Sequence, residues 1–188
     1  MFPELNIVLE ALQNGKIILY PTDTIWGVGC DCTNEQAVQR VYAIKKRSDT
    51  KSLILLVDSL EMLQEYVPSL SGKVFKLHEH FTRPLTMIYS HTINLPDFLK
   101  ADDGSIAIRI VQDPFCKEII AAFGKPIVST SANTSGKPSP KYFAKIELAI
   151  KRAVDYTVKH RQKDKTESEP SILARYHDET DELEVLRA

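Results

Sequence analysis

The chain has 188 residues, which fits one domain at roughly 100–200 residues each and allows a core large enough to need no disulfide or metal staple. Hydrophobic residues make up 43% and charged residues 26%, values that exclude disordered and collagen-like classes. With 24 Lys+Arg against 25 Asp+Glu the formal net charge is -1, so the molecule lacks the basic field of a non-specific nucleic-acid coat and any anion site has to be local.

Met1-Phe2-Pro3-Glu4 opens without a basic segment followed by an apolar run, and stretches such as Leu53 to Val57 are too short to span a bilayer. A soluble, cytoplasmic protein with no membrane partner is expected. Leu5 to Leu12 places Ile7, Val8, Ala11 and Leu12 at helical spacing, with Asn14-Gly15 as the stop. Lys16 to Tyr20, closed by Pro21, predicts a buried strand that delivers Thr22-Asp23-Thr24 to its carboxyl end, where open α/β sheets bind ligands. Gly27-Val28-Gly29 is a weak signal, since two glycines can serve a tight bend.

Asn34 precedes a helix carrying Val38, Val41, Tyr42 and Ile44 that runs into Lys45-Lys46-Arg47, and Ser52 to Val57 is the next strand. Ser59 to Tyr66 and Gly72 to His80 read as helices; Pro84 to Tyr89, Ser105 to Ile110 and Pro126 to Ser129 read as strands. Asp113 to Phe123 is a helix with Gly124 past its end. Tyr142 to Arg152 predicts a helix, Val154 to Val158 a strand, and Ser171 to Ala174 with Leu183 to Leu186 two closing strands. The interleaving argues for an α/β sheet in a single domain, 1–188, in an order too irregular for a simple doubly wound fold. His160 to Glu169 is polar and lacks apolar periodicity, which predicts a mobile loop or lid.

Cys30, Cys32 and Cys116 lack the spacing of a structural zinc site, and the first two are expected as reduced side chains on one packed strand face. His78 and His80 point to nearly opposite sides of a helix, a poor ligand pair. No metal ligand from the protein is assigned, and neither a P-loop nor a Ser-His-Asp or Cys-His arrangement is legible. Three features remain. Lys45, Lys46, Arg47 and Lys51 bracket Ser48-Asp49-Thr50 and can surround a polyphosphate, or simply be a solvated helix end. The run Ser129 to Gly136 places hydroxyls and an amide directly after the apolar strand Pro126-Ile127-Val128, as a cradle for phosphate or carboxylate oxygens or as a plain turn. Arg109 interrupts the apolar strand Ile106 to Ile110, where it requires a carboxylate partner from the protein or a ligand.

Together, Tyr20-Pro21-Thr22-Asp23-Thr24-Ile25-Trp26-Gly27-Val28-Gly29-Cys30-Asp31, the Lys45/Arg47 pair with Lys51, the Ser131/Asn133 pair, Ile106-Ala107-Ile108-Arg109 and Leu186-Arg187 resemble the YrdC-like family of threonylcarbamoyl-adenylate synthases, over Gly15 to Arg187. The resemblance implies a twisted, mixed α/β sheet with flanking helices around a large concave cavity. It implies a nucleotidyltransferase that joins L-threonine, bicarbonate and ATP into threonylcarbamoyl-AMP with release of pyrophosphate, with Mg²⁺ accompanying ATP. Lys45, Arg47, Ser131 and Asn133 would be catalytic; Lys51, Ser139 and Arg187 would join them around ATP. Thr22, Arg109, Ser129 and Ser171 would hold threonine. The product serves tRNA threonylcarbamoyladenosine formation, so downstream transfer proteins and a contact with tRNA or double-stranded RNA are implied partners.

Thr82-Arg83-Pro84-Leu85-Thr86 stands where the family commonly shows Pro-Gly-Pro-x-Thr, and Glu169 to Ala174 lacks the usual Ser-Thr pair and following aspartate. The end at Ala188 looks like the short family form. Two other readings use the same residues: an RNA-binding module without turnover, and a paralogue acting on another carbamoyl substrate.

Overall fold

Helix α1 (Leu5–Gln13) opens the chain and buries Leu5, Val8, Ala11 and Leu12 while Ile7 faces outward, 49% exposed. The structure, a computed structural model, describes residues 2–46, 53–177, 180 and 182–188; the side chains of residues 78–80 lie outside the description, and with them the His78/His80 pair. After α1 come β1 (Ile18–Tyr20), β2 (Gly27–Asp31), α2 (Glu35–Lys45), β3 (Ile54–Val57), α3 (Leu60–Tyr66), α4 (Gly72–His80), β4 (Leu85–Tyr89) and β5 (Ile106–Ile110). The second half adds α5 (Pro114–Phe123), β6 (Ile127–Ser131), α6 (Leu148–Ala153), β7 (Tyr156–Thr157), β8 (Ile172–His177) and β9 (Glu182–Arg187).

Local chemistry sets the helix ends. Asn34 Oδ1 accepts the Ala37 N–H to start α2, which stops at Lys46 in the left-handed conformation. Asp113 caps α5 through the Cys116 N–H, Pro114 takes the first turn, and Gly124 ends the helix at φ 75°.

The strands form one mixed sheet in the order β7-β1-β2-β6-β3-β5-β4-β8-β9, with parallel pairs β1/β7, β3/β5 and β4/β8. Its two faces bury different cores, as strand alternation requires. Val28, Cys30, Leu55, Val57, Met87, Ile108 and Val128 pack under α2, α3, α4 and α6. Ile18, Tyr20, Leu56 and Ile127 pack under α1 and α5 through Leu12, Phe115, Ile119 and Ile120. Cys30 and Cys32 join the first core and Cys116 the second, all as buried free thiols. The two helices of the second face leave part of it uncovered, and the cavity opens there.

One weak signal is resolved and two expectations are corrected. Gly27 and Gly29 form no bend: neither has a positive φ, and both lie in the interior strand β2, between β1 and β6. They are small because Tyr20 crosses them; a Cβ on Gly29 would stand 2.3 Å from the Val128 carbonyl oxygen and 2.9 Å from the Tyr20 ring. Ser129, Thr130 and Ser131 continue β6 rather than follow it. The helix expected over Tyr142 to Arg152 splits into a 3₁₀ turn, Phe143–Lys145, and α6, because the backbone extends at Ile146, which is buried, while Phe143 packs on Trp26 with ring centroids 4.8 Å apart.

Candidate active site

Register builds the cavity floor. Ser129, Ile54, Ala107 and Ile88 stand side by side across β6, β3, β5 and β4, and Arg109, Thr86, Leu173 and Arg187 form the next row across β5, β4, β8 and β9. Because neighbouring strands lie about 4.8 Å apart, each row spans roughly 14 Å. The resulting cavity has a volume of about 410 Å³ and is lined by Thr22, Arg109, Ser129, Ser131, Ser139, Ser171 and Arg187 among the expected residues. That volume lies within the ~300–1,000 Å³ of small-molecule sites.

At one end Arg109 is nearly enclosed. Its Nη2 lies 3.3 Å from Asp23 Oδ1, with side-chain exposures of 5% and 7%, and its Nη1 donates to Thr24 Oγ1 at 2.9 Å. The carboxylate partner that the sequence requires for this strand arginine is thus Asp23. Among the described residues, buried Arg109 Nε has no hydrogen-bond partner. Thr22 Oγ1 donates to the Ile25 carbonyl and accepts from the Thr24 N–H, so its 3.0 Å contact with Thr24 Oγ1 is donated by Thr24. The Thr22 hydroxyl is therefore committed within its own loop, which fixes Thr24 under Arg109.

At the other end Lys45, 3% exposed, donates from Nζ to the Ser131 carbonyl, to Ser131 Oγ at 3.2 Å and to Asn133 Oδ1 at 3.2 Å. The Lys45 carbonyl also accepts the Ser135 N–H at 2.8 Å. One ammonium thus ties the end of α2 to the end of β6, with Lys45 and Asn133 a contact behind the Ser131 lining. Asn133 is held in turn, donating from Nδ2 to the Thr134 and Lys137 carbonyls. Arg47 and Lys51 lie outside the described residues.

Beside Arg109, along its own row, Ser171 Oγ and Thr86 Oγ1 share a 2.7 Å hydrogen bond, and Arg187 donates to the Ser171 carbonyl from Nε at 3.1 Å and from Nη2 at 2.9 Å. Burial, then the nearby Arg109 guanidinium, lowers the Arg187 pKa, so two cations face one hollow. That arrangement favours an anionic ligand. Sequence reasoning missed Thr24, Trp26 and Thr86, although the first two lie inside the quoted Tyr20 to Asp31 motif. The irregular stretch 160–169 runs alongside, with Lys141 paired to Glu167 at 2.5 Å and Arg83 to Glu169 at 3.4 Å.

The Sua5/YciO/YrdC family model, described as telomere recombination, matches residues 10–188. The chain belongs to this family. A threonylcarbamoyl-AMP synthase of Pseudoalteromonas translucida is 35% identical over 153 residues, 80% of this chain and 82% of the relative. In fold, E. coli YciO superposes with a TM-score of 0.84 at 24% identity, covering 97% of this chain and 87% of that one. P. abyssi Sua5 complexed with L-threonine gives a TM-score of 0.79 at 23% identity over 92% of this chain, which spans only 50% of that protein. Among the described residues no helix is long and apolar enough to cross a membrane.

Proposed function

We propose that this protein is a nucleotidyltransferase that makes threonylcarbamoyl-AMP and pyrophosphate from L-threonine, bicarbonate and ATP. The observation that carries the reading is one cavity with Arg109 at one end and Ser131, backed by Lys45 and Asn133, at the other. Its support from outside is the family membership and the naming of relatives as threonylcarbamoyl-AMP synthases.

In the proposed reaction the threonine amine takes up bicarbonate as a carbamate with loss of water. A carbamate oxygen then bonds to the α-phosphorus of ATP as the bond to the departing pyrophosphate breaks. Such a step is accelerated chiefly by alignment and by neutralising phosphate charge, and needs no protein nucleophile. Arg109, preset by Asp23 and Thr24, receives the threonine carboxylate. Ser129 and Ser171 face its amine and hydroxyl, with Thr22 shaping the loop beside them. Lys45, Arg47 and Lys51 carry the phosphate charge, Ser131 and Asn133 orient ATP, and Ser139 and Arg187 border the nucleotide.

Mg²⁺ borne on the ATP phosphates would neutralise the leaving pyrophosphate. Among the described residues the lining is of hydroxyl and guanidinium groups, which fits an ion held by the substrate's phosphates. The product is passed on for tRNA threonylcarbamoyladenosine formation, through transfer proteins and with tRNA as the final acceptor.

The test is pyrophosphate release from ATP, Mg²⁺, bicarbonate and L-threonine, with each component omitted in turn. Release that requires all of them is expected, and release indifferent to threonine overturns the substrate assignment.

A further inference from the structure

The loop carrying Thr22, Asp23 and Thr24 has two sides. Its inner side lines the cavity and presets Arg109. Its outer side is packed by Arg161, Asp164, Thr166 and Ser168 of the polar stretch, with only about 10 Å³ of space between them. Arg161 bridges the two elements: its Nη1 donates to the Thr22 carbonyl at 3.0 Å and to Asp113 Oδ2 at 3.1 Å, and its Nε lies 3.4 Å from Asp164 Oδ2.

Arg161 takes a left-handed backbone, φ 62°, which a non-glycine residue holds only when contacts on several sides impose it. Those contacts are present. Glu4 accepts the N–H groups of Lys159 at 2.9 Å and of His160 at 2.9 Å. The His160 ring packs against both Phe2, 5.0 Å away, and Phe115, 5.1 Å away. Arg161 is thus anchored from behind by the N-terminal segment and α5, and reaches forward to a backbone carbonyl one residue from Asp23.

We infer that Arg161 is a positioning residue for the amino-acid end of the cavity, acting through the Thr22 carbonyl on the Asp23/Thr24 frame that aims Arg109. Arg161 is not among the residues that line the cavity. The stretch 160–169 works as a clamp on the loop's outer side. The kinetic part of this inference rests on the proposed threonine-dependent reaction; the mechanical part does not.

Two variants isolate the side chain. R161N keeps a residue type that tolerates the left-handed backbone, and D113N keeps the α5 cap, which asparagine supplies as well as aspartate. In the pyrophosphate assay both are expected to raise the KM for L-threonine about three- to tenfold, with the KM for ATP, kcat and the thermal midpoint close to wild type. An unchanged threonine KM overturns the inference. So does an equal rise in both KM values with a fallen midpoint, which is what a merely structural role would give.

Amide hydrogen exchange of the unliganded protein is the second readout. Peptides covering residues 21–26 should exchange faster in R161N while those covering β5 and β6 do not. Unchanged exchange there refutes the clamp. A wild type that shows no threonine-dependent turnover refutes the proposed function alone, and the exchange result still decides the clamp.

Discussion

Removing the Asp23 carboxylate should expose how much the fold depends on the cavity's buried charges. Asp23 and Arg109 are 7% and 5% exposed in their side chains, so D23A leaves a guanidinium enclosed with a threonine hydroxyl as its remaining neutral partner. Breaking one side of a buried ion pair costs about 3–5 kcal/mol. The Gln112 N–H, which donates to Asp23 Oδ2 at 2.9 Å, loses its acceptor as well. For a chain of this size each kcal/mol moves the thermal midpoint by roughly 2–4 °C, so D23A should melt about 6–20 °C below wild type. Calorimetric or fluorescence melts of D23A, R109M and the double variant measure this. The double variant should recover part of the loss, since it removes both charges. A D23A midpoint within about 2 °C of wild type would show that Arg109 is solvated or paired elsewhere, and the account of the threonine end would fail.

G29A should cost about 3 kcal/mol or prevent folding, because the new Cβ meets the Val128 carbonyl oxygen at 2.3 Å and no rotamer relieves a clash with backbone; denaturant unfolding checks it. Burial opposes the charge on Glu4, but the Tyr156 hydroxyl and the Lys159 and His160 N–H groups outweigh it and hold the carboxyl below its ordinary value of 4.5. The stability of wild type over E4Q should therefore be fully present above pH 4.5 and disappear as pH falls through the lower folded-state value, read from melts across pH 2–7. Burial pushes Cys32 up to about 12 and raises Cys30 and Cys116 well above the ordinary thiol value, so a thiol reagent at pH 8 should label none of the three until the protein unfolds. L-valine should replace L-threonine poorly, by up to about 10⁴-fold in kcat/KM if the hydroxyl is hydrogen-bonded, whereas L-serine should lose only about 10–200-fold.

The elements were legible where a local signal exists. The Asn34 cap, the Gly124 stop and the β-branched runs each predict what the structure contains, because caps and alternation are properties of neighbouring residues. β2 was legible only at its Cys30 end, as a packed strand face; the reason for its glycines is a tyrosine on another strand. The helix broken at Ile146 was hidden in the same way, by packing of Phe143 on Trp26. Arg109 announced its need for a carboxylate, yet nothing in the spacing said that Asp23 would supply it. Lys45 read as a solvated helix end or a phosphate ligand; its burial against Ser131 and Asn133 depends on where β6 ends, which only the folded sheet decides. Arg161 carried no signal beyond membership in a polar stretch.

The central claim is that one cavity joins three small molecules, and the product itself tests it most directly. With ATP, L-threonine and ¹³C-bicarbonate, mass spectrometry should show a threonylcarbamoyl adenylate whose mass rises by about 1 Da with the label, and which is lost when Arg109 is replaced by glutamine. An adenylate of threonine without the labelled carbon, or a labelled product that forms without threonine, would contradict the account.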